Sequence, residues 1–203
     1  MEIKTLVLGL IKVNCYLVKG ESGCVVIDPG FYDERILDFL NENEDKERLI
    51  LITHAHFDHI GGALALSRET GVKIAIGKEE NFALSDSDAN LTARFRVKYE
   101  PFSADILLAD NGEISVGDLN IKTIFTPGHT PGGVCYYING TLFSGDTLFF
   151  ETVGRTDFPF GNFKLLHTSI EKLFNLFGDE TPVLSGHGQE TSIGHEKENN
   201  PYY

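Results

Sequence analysis

The chain has 203 residues, 41% of them hydrophobic and 15 of them phenylalanine, which is enough to bury one sizeable core and short for two, so a single domain over residues 1–203 is expected. Its 17 Lys and Arg face 30 Asp and Glu, a formal charge of -13, and a field of that sign repels a phosphate backbone and excludes nucleic acid as an expected partner. The first twenty residues are apolar, but Lys4 and Lys12 bracket only seven uncharged positions and no small-residue cleavage site follows; neither a membrane span nor an export signal is expected.

Cys15, Cys24 and Cys135 sit singly in strand-like runs without a C-x-x-C pair. They read as buried reduced thiols, which fits a cytoplasmic protein.

The runs CVVID (24–28), RLILIT (48–53) and VKIAI (72–76) are continuous apolar blocks of strand length, as expected for strands covered on both faces. Between the first two, Ile36, Leu37 and Leu40 recur at helical spacing on a charged background, which predicts an amphipathic helix. The run IGGALALSRETG repeats that pattern through Ile60, Leu64 and either Leu66 or Ala63, with Gly71 as its stop. Residues 91–99, LTARFRVKY, alternate Arg94, Arg96 and Lys98 with Phe95, Val97 and Tyr99. They are expected to form an edge strand or helix with a solvated basic face, the sharper alternative being a positive, partly aromatic wall beside an active site.

From residue 110 onward, turn dipeptides at Asn111-Gly112, Gly117-Asp118 and Asn139-Gly140 separate short strands, as in a β meander. A last amphipathic helix is expected over FKLLHTSIEKLFNLF, with Phe163, Leu166, Ile170, Leu173, Phe174 and Phe177 on one stripe. The strand TPVLS and a polar tail follow it. Strands and helices alternate throughout, so the class is α/β.

The chemistry concentrates in THAHFDH, residues 53–59, where His54, His56, Asp58 and His59 crowd into six positions. His129 in TPGHTPGG, Asp146 in SGDTLF and His187 in SGHG each follow an expected strand, where loops of layered α/β proteins converge. Neutral imidazole is a good ligand for zinc-like ions, and a carboxylate with two oxygens can bridge two cations. A fold gains nothing from crowding such groups unless an ion compensates their desolvation. Two residues apart on an extended segment, His54 and His56 point the same way and suit one ion; Asp58 and His59 begin the next helix and suit a neighbouring one. His167 and His195 are expected to be ordinary helix and tail residues.

THAHFDH, TPGHTPGG, SGDTLF and SGHG resemble, in order and approximate spacing, the metallo-β-lactamase superfamily over nearly the whole chain. The resemblance implies a four-layered αβ/βα sandwich of two mixed sheets flanked by helices. It further implies one metal site of His54, His56 and His129, a second of Asp58, His59 and His187, and a bridging Asp146. Asp58 and Asp146 would act catalytically as ligands that orient a bridging hydroxide, and Asp28 in VIDPG would support the metal loop. Zn²⁺ is the expected ion by ligand type, with Fe or Mn also compatible with a site lacking thiolates.

Within the superfamily, GRTDFP (154–159) and the C-terminal tail resemble short glyoxalase II-like enzymes, the hydroxyacylglutathione hydrolases, without room for their added C-terminal glutathione-binding helical domain. Where those enzymes have a Lys and, two residues on, a Tyr at glutathione, this chain has Arg155 and Asp157, so Arg155 is a candidate substrate contact. The implied reaction is hydrolysis of a small anionic thioester such as S-lactoylglutathione by a hydroxide bridging two divalent ions. The alternative is the iron persulfide dioxygenases of the same superfamily, which would use His54, His129 and Asp146 alone. Their last histidine motif usually carries an Ala before the His and an Asp after it, unlike SGHG here, which favours the hydrolase.

Overall fold

In the computed structural model, which describes residues 1–203, two six-stranded sheets lie face to face between helices, as the resemblance implies. The first sheet runs in order through β1 (Glu2–Leu8), β2 (Val13–Lys19), β3 (Gly23–Ile27), β4 (Glu47–Ile52), β5 (Lys73–Gly77) and β6 (Ile106–Leu108), with β1 to β3 antiparallel and β3 to β6 parallel. Its inner strands β2 to β5 are mostly apolar because both faces are covered. Ile50 and Ile52 of β4 pack under α1 (Glu34–Glu42) and α3 (Ala63–Thr70), while Leu49 and Leu51 face the second sheet. Helix α1 starts where the Asp33 side chain accepts from the Arg35 N–H, and it buries Ile36 and Leu40; α3 ends at the left-handed Gly71.

The second sheet is ordered β14 (Thr191–Ser192), β13 (Pro182–Ser185), β10 (Thr141–Gly145), β9 (Val134–Ile138), β8 (Leu119–Phe125) and β7 (Glu113–Val116). Strands β7 to β10 form the expected meander, and β10 runs parallel to β13. A short hairpin of β11 (Leu148–Phe149) and β12 (Thr152–Val153) follows β10. Helix α5 (Phe163–Leu176) covers the outer face with Leu166, Ile170, Leu173 and Phe174, so apolar layers alternate with backbone layers across the molecule.

Two expectations are corrected. Phe163, first residue of α5, is 50% exposed, because the chain enters the helix from outside its buried stripe; Phe177 stays half-buried against Tyr137. The polar tail is structured: β14 leads into α6 (Ile193–Asn199), which buries Ile193 and the Glu196 carboxylate. That carboxylate accepts from the Asn200 amide one helical turn on at 2.7 Å and from the distant Glu151 N–H at 2.9 Å. Of the two forms expected for residues 91–99, the helix is present as a single turn, α4 (Thr92–Phe95), bracketed by left-handed Leu91 and Arg96, with Arg94, Arg96 and Lys98 exposed.

The C-terminal ends of β3, β4, β8, β10 and β13 share one edge, where the sheets are stitched by Val134 N–H to Thr53 O at 2.9 Å and Gly186 N–H to Gly145 O at 2.8 Å. At the far end the Asp118 carboxylate accepts from the N–H groups of Glu21, Ser22 and Gly23 at 3.0, 2.8 and 3.2 Å, tying the β7–β8 turn to the β2–β3 turn. No helix is long and apolar enough to cross a membrane.

Candidate metal centre

Beyond β4 the chain stays extended through His56, then turns into the short α2 (Phe57–Ile60). His54 and His56 therefore face the same side, with ring centroids 4.8 Å apart, while Asp58 and His59 sit in the helical turn and are buried. His129 follows β8, Asp146 directly follows β10, and His187 follows β13. Gly186 stands where a Cβ would lie 2.2 Å from Asp146 Oδ1 and 2.8 Å from His59, so any side chain there would displace the site.

All seven sequence-expected residues come together. His54, His56 and His129 form one set whose ligand atoms lie within 4.8 Å of one another; Asp58, His59 and His187 form a second; His54, His59 and Asp146 form a third. Asp146 lies between the first two, with Oδ1 3.4 Å from His59 Nε2 and Oδ2 3.5 Å from His129 Nε2 and 3.7 Å from His187 Nε2. His187 Nε2 also approaches Asp58 Oδ2 at 3.2 Å.

Neighbours of the cluster aim the rings. Asp28, held left-handed at φ 51°, accepts from the Thr53 N–H at 2.7 Å and the Thr53 hydroxyl at 2.6 Å, and its Oδ2 meets His59 Nδ1 at 2.8 Å. His129 Nδ1 donates to Arg155 O at 2.7 Å and His187 Nδ1 to Lys12 O at 3.3 Å. With Nδ1 as donor in all three, each Nε2 keeps a lone pair directed inward.

The buried atoms His54 Nε2, His56 Nε2, His59 Nε2 and Asp146 Oδ1 have no hydrogen-bond partner. Each such orphan costs about 1–3 kcal/mol unless something else satisfies it. His56 Nδ1 and His129 Nε2 meet at 3.0 Å, and with His129 Nδ1 donating to Arg155 O, its Nε2 lone pair lies within the same set as His54. Converging imidazole nitrogens, carboxylates and no thiolate suit divalent zinc, iron or manganese.

Burial holds the His54, His56 and His129 rings below the usual imidazole range, reinforced for His54 by His59 and for His56 by His129. At His59 burial acts in the same direction, but Asp146, Asp28 and Asp58 together outweigh it and bring the ring up to about 10. At Asp58 burial acts upward, yet the neighbouring His59 and His187 hold the carboxyl below its ordinary value. A cation, whether proton or metal, is thus favoured between these carboxylates.

A sequence model described as the metallo-beta-lactamase superfamily matches residues 8–187, a span that includes every one of these ligands. The chain belongs to this superfamily. Two relatives align with the full chain: a probable metallo-hydrolase, YqgX, of Bacillus subtilis, 35% identical with 97% of that protein covered, and the hydroxyacylglutathione hydrolase GloC of Haemophilus influenzae, 33% identical with 98% covered. Among solved structures, the BLEG-1 B3 metallo-beta-lactamase superposes with a TM-score of 0.88 at 36% identity, covering 99% of each chain. TTHA1623 in a di-iron-bound form gives 0.86 at 30% identity, covering 98% of this chain and 100% of that one. ETHE1 from Myxococcus xanthus gives 0.77 at 29%, covering 99% of this chain and 84% of that one.

In this member of the superfamily a cavity of about 460 Å³ opens over Asp58, His129, Asp146 and His187. Its walls include Ile11, Phe57, Leu91, Phe95, Phe149 and Phe158. Arg155 also lines it, but its guanidinium is held by Asp157 at 2.7 and 2.6 Å and lies 3.9 Å from the Phe158 ring centre. Of segment 91–99, Leu91 and Phe95 reach this cavity while the cations stay exposed, so it contributes an aromatic wall more than a basic one.

Glu80 was not legible as part of the site. Its buried carboxylate accepts from the Ala55 N–H at 3.0 Å and the Gly132 N–H at 2.8 Å, joining the His54–His56 segment to the His129 loop. Burial raises its pKa, opposed by those same N–H groups. Nothing in the local sequence, GKEEN, distinguishes it from the exposed Glu79 beside it.

Proposed function

We propose that the chain is a metal-dependent thioester hydrolase acting on S-2-hydroxyacylglutathione-type substrates such as S-lactoylglutathione, with two divalent ions held by His54, His56 and His129 and by Asp58, His59 and His187, and Asp146 between them. Bound there, such ions supply a nucleophilic water at neutral pH and polarise the carbonyl oxygen. Asp28, Arg155 O and Lys12 O hold the His59, His129 and His187 rings, and the apolar walls exclude water from the bound ester.

One observation carries the choice of a thioester. Outside the ligand set, the cavity is lined by Ile11, Phe57, Leu91, Phe95, Phe149, Thr152, Val153, Arg155 and Phe158, none of which can give up a proton near neutral pH. A leaving group must then depart without a protein acid. A thiolate can do so far more readily than an amine or alkoxide. The 33% identical hydroxyacylglutathione hydrolase supports the same reading.

Asp58→Ala tests the assignment: the variant should lose one ion per chain, counted by elemental analysis, and cleave S-lactoylglutathione at the background rate. Two ions with unchanged hydrolysis would refute it. Likeness to ETHE1 keeps the one-iron dioxygenase reading in play. One iron per chain, with oxygen uptake on glutathione persulfide and no thioester cleavage, would establish that alternative instead.

A further inference from the structure

We propose that a second, polar cavity behind the Thr92–Phe95 turn is an anion subsite for the charged end of the substrate's thiol portion, a carboxylate or a phosphoryl group. The proposal rests on the thioester reading of the neighbouring cavity.

The chain has six arginines. Arg35, Arg68 and Arg155 are paired with Asp33, Glu100 and Asp157, and Arg48 donates to Leu40 O at 3.0 Å. Arg94, Arg96 and the nearby Lys98 make no ion pair or side-chain hydrogen bond, although the chain carries 30 acidic residues. Arg94 stands on the side of the reaction cavity, its guanidinium carbon 5.6 Å from the Phe158 ring centre. Arg96 and Lys98 turn the other way, into a cavity of about 470 Å³ that also presents Ser85, Ser87, Thr92 and Tyr99 and no carboxylate.

Two nearby carboxylates are engaged elsewhere, and the third, Asp88, does not line the cavity. Asp86 accepts from the Asp88 and Ala89 N–H groups, and Glu100 is gripped by Arg68 at 2.8 and 2.6 Å. Asn90, fully buried, fixes the cavity wall by accepting from the Thr92 N–H at 3.0 Å and the Thr92 hydroxyl at 2.6 Å. Its backbone oxygen accepts from the Phe57 N–H at 3.0 Å, one residue from Asp58. The subsite wall and the ligand-bearing helix are therefore one connected piece.

Leu91 and Phe95 face the reaction cavity and Thr92 and Arg96 the polar one, so a single helical turn, about 10 Å across with its side chains, divides them. The left-handed backbone of Arg96, φ 53°, directs the chain back on itself there. A guanidinium fork, an ammonium and the Ser87 hydroxyl are donors matched to carboxylate or phosphate oxygens, the Ser85, Thr92 and Tyr99 hydroxyls already donating to Phe82 O, Asn90 Oδ1 and Leu84 O. Screening over about 8 Å keeps the overall negative charge from cancelling this patch.

The test compares the metal-loaded wild type with the double variant Arg96→Asn, Lys98→Gln, asparagine being tolerant of left-handed backbone. For S-lactoylglutathione or lactoyl-coenzyme A, whichever the wild type prefers, KM should rise about ten-fold or more with kcat unchanged. KM for the uncharged S-lactoyl-N-acetylcysteamine should not move. Equal effects on charged and uncharged substrates, or none, overturn the subsite. If inorganic phosphate alters cleavage of the uncharged thioester by wild type and not by the variant, the anion is a free effector and the substrate-tail assignment falls. Calorimetry with S-methylglutathione and with inorganic pyrophosphate separates this subsite from the hydrolase reading. Binding lost in the variant of an enzyme that cleaves no thioester keeps the subsite and removes the hydrolase; intact binding beside normal cleavage does the reverse.

Discussion

The floor of the reaction cavity and its rim are built on different principles. On the floor, His54, His56, Asp58, His59 and His129 are all buried, and their positions are set by strands of both sheets and by buried acceptors such as Asp28 and Glu80. On the rim, Ile11 and Phe95 are 48% and 49% exposed, and Arg155, Asp157 and Phe158 are held mainly by one another. Moving a floor residue disturbs the sandwich, whereas truncating a rim side chain leaves the backbone contacts to the floor, such as Arg155 O at His129 Nδ1, in place. The floor can therefore keep one kind of chemistry while the rim changes with the substrate. Similarity of 33–36% to proteins called a hydroxyacylglutathione hydrolase and a B3 metallo-beta-lactamase is consistent with that division.

The comparison breaks most visibly at Glu80. Glu80→Ala leaves the Ala55 and Gly132 N–H groups unpaired inside the protein, with an expected loss of about 2–5 kcal/mol in denaturant unfolding. The milder Glu80→Gln should weaken metal binding by about 10–100-fold in a chelator competition titration, as loss of a buried support for ligands does. If either variant keeps full stability and metal affinity, the floor is not braced as described.

Phe95→Ala sharpens the contrast from the other side. A half-exposed phenyl contributes about 1 kcal/mol of contact to a bound substrate, so KM should rise about five-fold while metal content, kcat and melting temperature stay level. A loss of bound metal would place Phe95 with the floor.

The smallest effect is expected at Asp118, distant from both regions. Hydrogen bonds from the Ser22 and Glu21 N–H groups hold its carboxyl well below the usual carboxylate range. A depressed acid stabilises the fold above its unfolded-state pKa of about 3.9 and loses that contribution as pH falls through the folded value. Asp118→Asn should thus lower the melting temperature slightly at pH 7, converge with wild type in strong acid, and leave hydrolysis at 25 °C unchanged. A stability gap that persists in acid would rule out this account.

The ligand set was legible because a metal site needs particular residue types in a tight local spacing, and THAHFDH supplies four of them within one strand-to-helix turn. His129, Asp146 and His187 were legible because each ends an apolar strand beside glycines. The apolar runs likewise announced strands covered on both faces, while the sandwich itself was implied by the family resemblance. Glu80 was not legible, since a buried acid and a surface acid share one letter and differ only in the distant N–H groups they meet. The burial of Glu196 in the tail helix was missed for the same reason, its partner Glu151 lying far away in sequence.

Local order along the chain thus determined the class of fold and the chemistry of the floor, because periodicity and ligand spacing are short-range properties. Tertiary structure alone decided which carboxylates brace that floor, that Arg155 is already paired with Asp157, and that Arg94, Arg96 and Lys98 are left without an acidic partner. Burial and pairing depend on segments tens of residues apart, and no spacing rule within one segment can encode them.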